Sequence, residues 1–403
     1  MSNDLGIRPT PTTSRGTFFR IALVLTLATL VVGSVRFARY DWTGIPLARA
    51  PMYDQVRLSE DCLEKIGPYT TESGRVIKPV VADEQQYMAI VEYFRGTPRS
   101  ELLSGCLYDP YTNRSGTAWL AHFLPVEEGL AMGITNTVML ILGLWFVIAA
   151  LRAQGAGPRA ILAVGALYGV SWNTFMFGTG LLVDVGVVAA ISLCWYLITT
   201  RRVWWVWPIL FVGYPLKETI GIVVPVMWAW SFGEWRSGRK SMVRAAAPSV
   251  AATVALVVGV VMWRNVQITP DAAWDAFPSL DRLANNLFDP LNPFTFFIGV
   301  LPLLIPALLR FRQMVRADGW FNSLVDPAVM GVLVALAICV WTIPITNISS
   351  RVFWIGCPFA ASLAAVWFAQ GKPGRWLQNL RLPTWLVGES EAEPTAEPAN
   401  EPL

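Results

Sequence analysis

The chain has 403 residues, of which 54% are hydrophobic and 15% are charged, and its net charge at pH 7 is +3. These proportions exclude an ordinary soluble globule, and the small net charge gives no argument for a nucleic-acid partner. Since His122 is the single histidine, a site built from several imidazoles is excluded, and a metal ion would be held mainly by carboxylates.

The first predicted element is a membrane anchor at residues 18–36. It follows a basic N-terminal tail, residues 1–17, and no small-residue cleavage site comes after it. We therefore expect it to be retained in the membrane rather than removed as a signal peptide.

Ten apolar spans are predicted, which indicates an all-α membrane protein with a polytopic domain at residues 128–369. Their approximate bounds are 18–36, 128–151, 159–179, 181–199, 203–215, 218–233, 245–264, 294–311, 326–346 and 351–369. Basic clusters flank them in alternate loops, which by the positive-inside rule places both termini in the cytoplasm. Residues 37–127 and 265–293 would then lie outside a plasma membrane, and the acidic tail 370–403 is predicted to be disordered.

The long outer loop contains a predicted helix at 83–95, which begins DEQQYMAIVEYF. Its apolar side chains form one stripe, made of Tyr87, Ile90, Val91 and Phe94. Asp83 stands at the head of that stripe, either as the helix N-cap, with Gln86 completing a capping box, or as a functional acid. Glu84 projects about 100° away, so the two acids do not form a ready-made pair.

Two cysteines and a second helical stretch, 116–124, belong to the same loop. Cys62 and Cys106 are the cysteines outside the apolar spans, and we expect a disulfide between them in an oxidising compartment. Arg114 precedes the helical stretch, and His122 lies near its end, within WLAHFLP. A histidine there is either a packing or interfacial residue or a ligand.

The second outer loop contains SLDRLANNLF, residues 279–288. Its leucines and phenylalanine form an amphipathic stripe, which is typical of a helix that lies on membrane lipids.

Ionisable residues also occur at predicted span ends, where they are costly and usually mark a path or a site. Residues 203–230 contain three prolines, and we expect them to break at Tyr214–Lys217, with Lys217 and Glu218 at the outer end of a cavity. Asp184 and Arg351 begin two further spans. The simpler alternatives are backbone hydrogen bonds for Asp184, interfacial snorkelling for the Lys217–Glu218 pair and span anchoring for Arg351.

The order of these elements resembles the membrane-embedded glycosyltransferases of the C-type fold (GT-C). The resemblance covers most of residues 20–369. It rests on DEQQYMAIVEYFRG after the first span, YTNRSGTAWLAHFLP before the second, LVD at the fourth, LKETIGIVVP in the broken span and SRVFWIGCPF near the end. The chain departs from the family pattern at Gly116–Thr117 and at Asp184–Val185, where the family often has proline.

This resemblance implies an inverting enzyme that takes a sugar from a polyprenyl-phosphate carrier and passes it to an extracytoplasmic glycan, lipid or protein acceptor. Asp83 would be the general base, with its pKa raised by partial desolvation, or a ligand of a divalent cation, the one cofactor considered. Lys217 and Arg351 would bind the leaving phosphate, with Arg114 positioning it. The residues with supporting roles would be Glu84, Tyr87, His122, Asp184 and Glu218.

Two other functions stay open. A transporter would need a path that reaches both faces, and usually internal repeats and midplane charges, whereas the charges here are predicted on one side. A non-catalytic membrane scaffold would use the outer loop for binding.

Overall fold

The structure, a computed structural model, describes residues 13–37, 56–58, 69–70, 76–77, 83–102, 106–178, 182–274, 278–345, 350–370 and 382–387. The first α-helices are α1 Arg15–Phe37, α2 Asp83–Phe94, α3 Gly116–Ala121, α4 Glu128–Ala153, α5 Pro158–Gly169, α6 Asp184–Thr199, α7 Val206–Gly213 and α8 Val223–Arg236. The others are α9 Met242–Val266, α10 Leu280–Phe288, α11 Leu291–Asp318, α12 Trp320–Leu324, α13 Pro327–Thr342, α14 Ser350–Phe353, α15 Cys357–Gln370 and α16 Thr384–Val387.

Short elements complete the described fold. The strands are β1 Val56–Leu58, β2 Tyr69–Thr70, β3 Val76–Ile77, β4 Tyr108–Asp109 and β5 Ala272–Trp274. The 3₁₀ helices are Arg99–Glu101, Thr112–Arg114, Val203–Trp205, Glu218–Ile222 and Trp354–Gly356, and a π-helix spans Thr174–Gly178.

Five helices are long and apolar enough to cross a membrane, which gives the chain the architecture of an all-α membrane protein. These are Arg15–Gly33, Glu128–Ala153, Met242–Val266, Asn292–Asp318 and Ser350–Ala369. Shorter helices occupy the other five predicted spans. That these shorter helices also cross stays a prediction.

The two predicted outer loops meet at one end of the helices. Strand β5 pairs antiparallel with β1 and parallel with β4, with Val56 opposite Trp274 and Tyr108 opposite Ala272. Arg99 reinforces this junction through an ion pair with Asp271 at 2.8 Å. The sheet therefore joins residues from 37–127 with residues from 265–293 at what we call the loop end.

Segments predicted on the cytoplasmic side also contact one another. The Thr13 hydroxyl donates to the Ala156 carbonyl at 3.0 Å, and Arg236 donates to Asn322. The short helix α16, within the predicted tail, accepts a hydrogen bond from Thr17 at its Val387 carbonyl. The disorder predicted for the tail 370–403 is therefore wrong for residues 382–387, where α16 forms and Leu386 and Val387 are buried. The acidic stretch 388–403 lies outside the described residues, and the orientation of the two ends stays a prediction.

A small hydrophobic core lies under the loop end, separate from the main core between the helices. The predicted stripe on α2 is part of it: Tyr87, Ile90 and Val91 are buried, while Phe94 is half-buried. Burying an aliphatic side chain contributes roughly 1.5–3 kcal/mol. The core includes Leu182 and Val183 and so places the start of α6 beside α2.

The interrupted span is confirmed as a break. Helix α7 ends at Gly213, Lys217 is extended with φ −173°, and a 3₁₀ turn from Glu218 leads into α8. The Gly116 N–H donates to the Pro215 carbonyl at 2.8 Å, and a Cβ on Gly116 would lie 2.9 Å from the carbonyl carbon of Pro215. Glycine at position 116 therefore allows this close contact with the break.

The amphipathic helix forms at Leu280–Phe288. Its side chains Leu280, Leu287 and Phe288 are exposed, while Asn286 donates to the Ile343 carbonyl at 2.6 Å. This two-sided arrangement agrees with the predicted stripe, and contact of α10 with lipid stays a prediction.

The cysteines divide as the sequence predicts within the described residues. Cys194, Cys339 and Cys357 are free and buried in the main core. Cys106 is disulfide-bonded. Its predicted partner, Cys62, lies outside the described residues.

Candidate functional site

The Asp83 carboxylate is held by two long-range hydrogen bonds at the first residue of α2. Its Oδ1 accepts from the Tyr111 hydroxyl at 2.7 Å, and its Oδ2 accepts from Arg351 Nη1 at 2.9 Å. Gln86 does not complete a capping box, because its amide donates to the Cys106 carbonyl and accepts from the Tyr108 N–H, both at 3.1 Å. Asp83 therefore faces the helices rather than its own backbone.

Arg351 joins Asp83 to a second carboxylate. Its Nε lies 3.6 Å from Asp184 Oδ2, and Lys217 Nζ lies 2.5 Å from Asp184 Oδ1. The Asp184 side chain is only 3% exposed, so both cations reach a nearly buried acid. These contacts replace the backbone hydrogen bonds that the simpler interpretation of Asp184 expects.

A third ion pair stands beside these contacts. Arg114 donates two parallel hydrogen bonds to Glu218, from Nε to Oε2 at 2.9 Å and from Nη2 to Oε1 at 2.5 Å. Glu218 follows Lys217 directly, and so the pair adjoins the others. We call Asp83, Arg114, Asp184, Lys217, Glu218 and Arg351 the charged cluster, in which three acids balance three bases.

Two tyrosines form the side of the cluster next to the small core. The rings of Tyr87 and Tyr111 meet edge to face, with centroids 5.5 Å apart. Burial raises the pKa of both hydroxyls, and the neighbouring Asp83 carboxylate raises that of Tyr111 further. Tyr111 therefore stays protonated as a hydrogen-bond donor. No role for Tyr111 was predicted from the sequence, although this residue lies one turn before Arg114.

The expected rise in the Asp83 pKa is wrong. Burial alone would raise the pKa of this carboxyl, but the Arg351 charge and the hydrogen bonds from Tyr111 and Arg351 outweigh it. The pKa of Asp83 is therefore lowered, and the group is ionised at neutral pH. The burial of Asp83 was predictable from the apolar stripe on α2, but its contact with the Arg351 guanidinium was not.

An apolar cavity of about 850 Å³ lies beside the cluster, and none of the six charged side chains is among its lining residues. It follows α7 and the break after it, with lining residues from Trp205 to Leu216. Asn113, Ser115 and Gly116 line its other end, on both sides of Arg114. The cavity therefore lies next to the turn that contains Arg114.

The cavity opens on the outer surface of the helices. Among its lining residues, Trp205 is 66% exposed, Val212 is 62% exposed and Val266 is 70% exposed. A long apolar molecule could therefore enter from the side.

Two predicted site residues are not brought into the cluster by described contacts. His122 is half-buried and packs on the rings of Phe94 and Phe123, with centroid distances of 5.7 and 3.8 Å, while its Nδ1 contacts the Trp119 carbonyl. These contacts agree with the interpretation of His122 as a packing or interfacial residue. The backbone of Glu84 continues α2, but its side chain lies outside the described part of the chain.

The carboxylates do not fit a shared divalent cation in this arrangement. Arg351 stands between Asp83 and Asp184, and Lys217 occupies the other oxygen of Asp184. Among the described residues, no group of three or more histidine, cysteine, aspartate or glutamate side chains could hold a metal ion. The divalent cation stays a prediction that these contacts do not support.

Comparison of the chain with protein-family models, with curated proteins and with solved structures finds no match. The function is therefore argued from the charged cluster and the cavity.

Proposed function

We propose that the chain is a membrane glycosyltransferase that moves a sugar from a polyprenyl-phosphate carrier to an extracytoplasmic glycan, lipid or protein acceptor. One observation carries the proposal: six charged groups, from five separate places in the sequence, form a cluster beside an apolar cavity. Charged groups beside membrane spans are costly and usually mark a site. The combination suits a substrate with a long apolar chain and an anionic head.

The cavity supports binding of the carrier. Its walls are apolar side chains from α7 and α9, and its exposed lining residues would face hydrocarbon if these helices span the bilayer. A polyprenyl chain could then remain in an apolar environment while its phosphate reaches Arg114. Guanidinium groups bind phosphate well because two N–H groups can donate in parallel.

Asp83 is the proposed general base. The acceptor hydroxyl oxygen attacks the anomeric carbon, its proton passes to Asp83, and the bond from that carbon to the phosphate oxygen breaks. The phosphate leaves with the electron pair, stabilised by Arg114, Lys217 and Arg351. Attack from the side opposite the phosphate inverts the anomeric centre. The Asp83 carboxylate is ionised at neutral pH, as a general base must be, although the lowering of its pKa by Arg351 and Tyr111 makes it a weaker base.

Transfer by purified protein tests the proposal. Wild type, Asp83→Asn and the control Asp271→Asn would be reconstituted in liposomes with polyprenyl-phosphate sugars and an acceptor glycan. Asp271 pairs with Arg99 outside the cluster. Loss of a general base should slow transfer by about 100-fold or more, while the control stays within about twofold. Full transfer by folded Asp83→Asn would refute the role.

A deletion strain identifies the sugar. If the proposal is right, one sugar disappears from the cell-envelope glycans and its polyprenyl-phosphate carrier accumulates. Unchanged glycans and carriers would contradict it.

A non-catalytic scaffold is the second candidate. It is favoured by one observation, that every charge in the cluster already contacts an opposite charge. A scaffold predicts that Asp83→Asn leaves glycan composition and carrier levels unchanged.

A further inference from the structure

We infer that Glu218 is an exchangeable internal ligand of Arg114, which leaves the guanidinium when the anionic head of a lipid reaches the end of the cavity. The inference rests on the proposed function for the presence of such a lipid, and it names the ligand chemistry: a phosphate on a long apolar chain. The other carboxylates of the cluster keep their partners.

The geometry of the pair is that of a bound phosphate. Arg114 presents Nε and Nη2 to the two oxygens of Glu218, as a guanidinium does to two phosphate oxygens. A second bidentate anion cannot occupy the same edge of the guanidinium. Phosphate and Glu218 therefore compete for one position.

Exposure shows which partner can leave. The Glu218 side chain is 44% exposed, whereas that of Arg114 is 18% exposed. The Asp184 side chain is 3% exposed, so its departure from Lys217 would bury an unpaired charge. Glu218 can turn into water while Arg114 stays in place.

The cavity lies next to this pair. The lining residues Asn113 and Ser115 flank Arg114 in sequence, and Leu216 lies two residues before Glu218. A lipid that fills the cavity can therefore bring its polar end close to Arg114, Lys217 and Glu218, and of the two cations Lys217 is already held by the nearly buried Asp184.

Unpaired hydroxyls on residues that neighbour the pair in sequence support an oxygen-rich ligand. The hydroxyls of Thr112, Thr117 and Thr219 are buried and make no hydrogen bond to the part of the chain that the structure describes. A buried hydroxyl without a partner is unfavourable, and each can donate to an oxygen acceptor. Thr219 follows Glu218 directly and is suited to a phosphate that replaces it.

Charge balance gives the exchange its direction. The cluster is neutral in the resting protein, so a phosphate added beside Glu218 would leave excess negative charge in a poorly solvated place. Departure of Glu218 into water removes that excess. The resting contact therefore opposes ligand binding, and removing the Glu218 charge should strengthen it.

Binding to the full chain in lipid nanodiscs tests the exchange. The probes are polyprenyl monophosphate and the uncharged polyprenol of the same length, titrated by native mass spectrometry. Glu218→Gln should bind the phosphate probe about tenfold more tightly than wild type, and polyprenol equally. Glu218→Ala should strengthen phosphate binding at least as much, which covers the case in which the glutamine variant does not fold.

The control is Glu128→Gln, which removes a carboxylate paired with Arg95 at 2.7 Å, outside the cluster. It should leave both affinities unchanged. Equal or weaker binding of the phosphate probe by folded Glu218 variants would overturn the inference, and so would binding of neither probe by any protein. Tighter binding without sugar transfer would support the exchange and refute the transferase.

Discussion

Arg351 should couple two carboxylates that are far apart in sequence, and Arg351→Gln removes both contacts. The hydrogen-bonded pair with Asp83 at 2.9 Å is expected to contribute about 1.5–3 kcal/mol, and the contact with Asp184 at 3.6 Å about 0.5–1 kcal/mol. We therefore expect a loss of about 2–4 kcal/mol. With unfolding entropy scaled to this chain length, the melting temperature should fall by about 2–5 °C.

A double-mutant cycle isolates the pair. Thermal unfolding in detergent would be followed for wild type, Arg351→Gln, Asp83→Asn and the double variant. On the Asp83→Asn background, Arg351→Gln should cost about 1.5–3 kcal/mol less, because no carboxylate at position 83 is left unpaired. The control Arg99→Gln removes an exposed ion pair and should cost under about 1 kcal/mol.

The effect should also depend on pH. Because the pKa of Asp83 is lowered in the folded protein, the stabilisation is present above the ordinary pKa of aspartate, near 4, and is lost as the pH falls through the folded value. The difference between wild type and Arg351→Gln should therefore be large at pH 7.5 and shrink in acid. Strict additivity in the cycle, or a difference that grows in acid, would refute the reasoning.

Two further predictions concern neighbouring residues. Gly116→Ala should destabilise the protein by about 1–3 kcal/mol in thermal unfolding, because the new Cβ would meet the Pro215 carbonyl, whereas Gly233→Ala, which meets nothing within 4 Å, should not. Tyr111→Phe removes a hydrogen bond that lowers the pKa of Asp83, so the acid limb of the transfer rate against pH should move to higher pH. An unmoved limb would contradict that role for Tyr111.

The helices could be predicted because their signals are local. Apolar length predicts the spans, and the stripe from Tyr87 to Phe94 predicts the buried face of α2. The prolines and the Lys217–Glu218 pair predict the break after α7. Each of these signals lies within one continuous stretch of the sequence.

The partners in the cluster could not be predicted in the same way. Asp83 and Arg351 are 268 residues apart, and Arg114 and Glu218 are 104 apart. Placing them on one side of the membrane brings them near one another, but it does not choose which acid meets which base. Whether the pKa of Asp83 is raised or lowered depends on that choice, and burial considered alone therefore led to the prediction of a raised pKa.

The distance along the chain between Asp83 and Arg351 also determines how long the Asp83 carboxylate exists before Arg351 is synthesised. At about 5–20 residues per second, a ribosome needs roughly 15–50 s to extend the nascent chain across those 268 residues. For most of that interval, once the 28 residues to Tyr111 have been added, Tyr111 is the one partner of the Asp83 carboxylate among the described residues that is already synthesised. The contact between Asp83 and Arg351 can therefore form only after the last predicted span has been synthesised and inserted into the membrane. Chains truncated before Arg351 should leave the Asp83 carboxylate without this partner, accessible to cellular quality control.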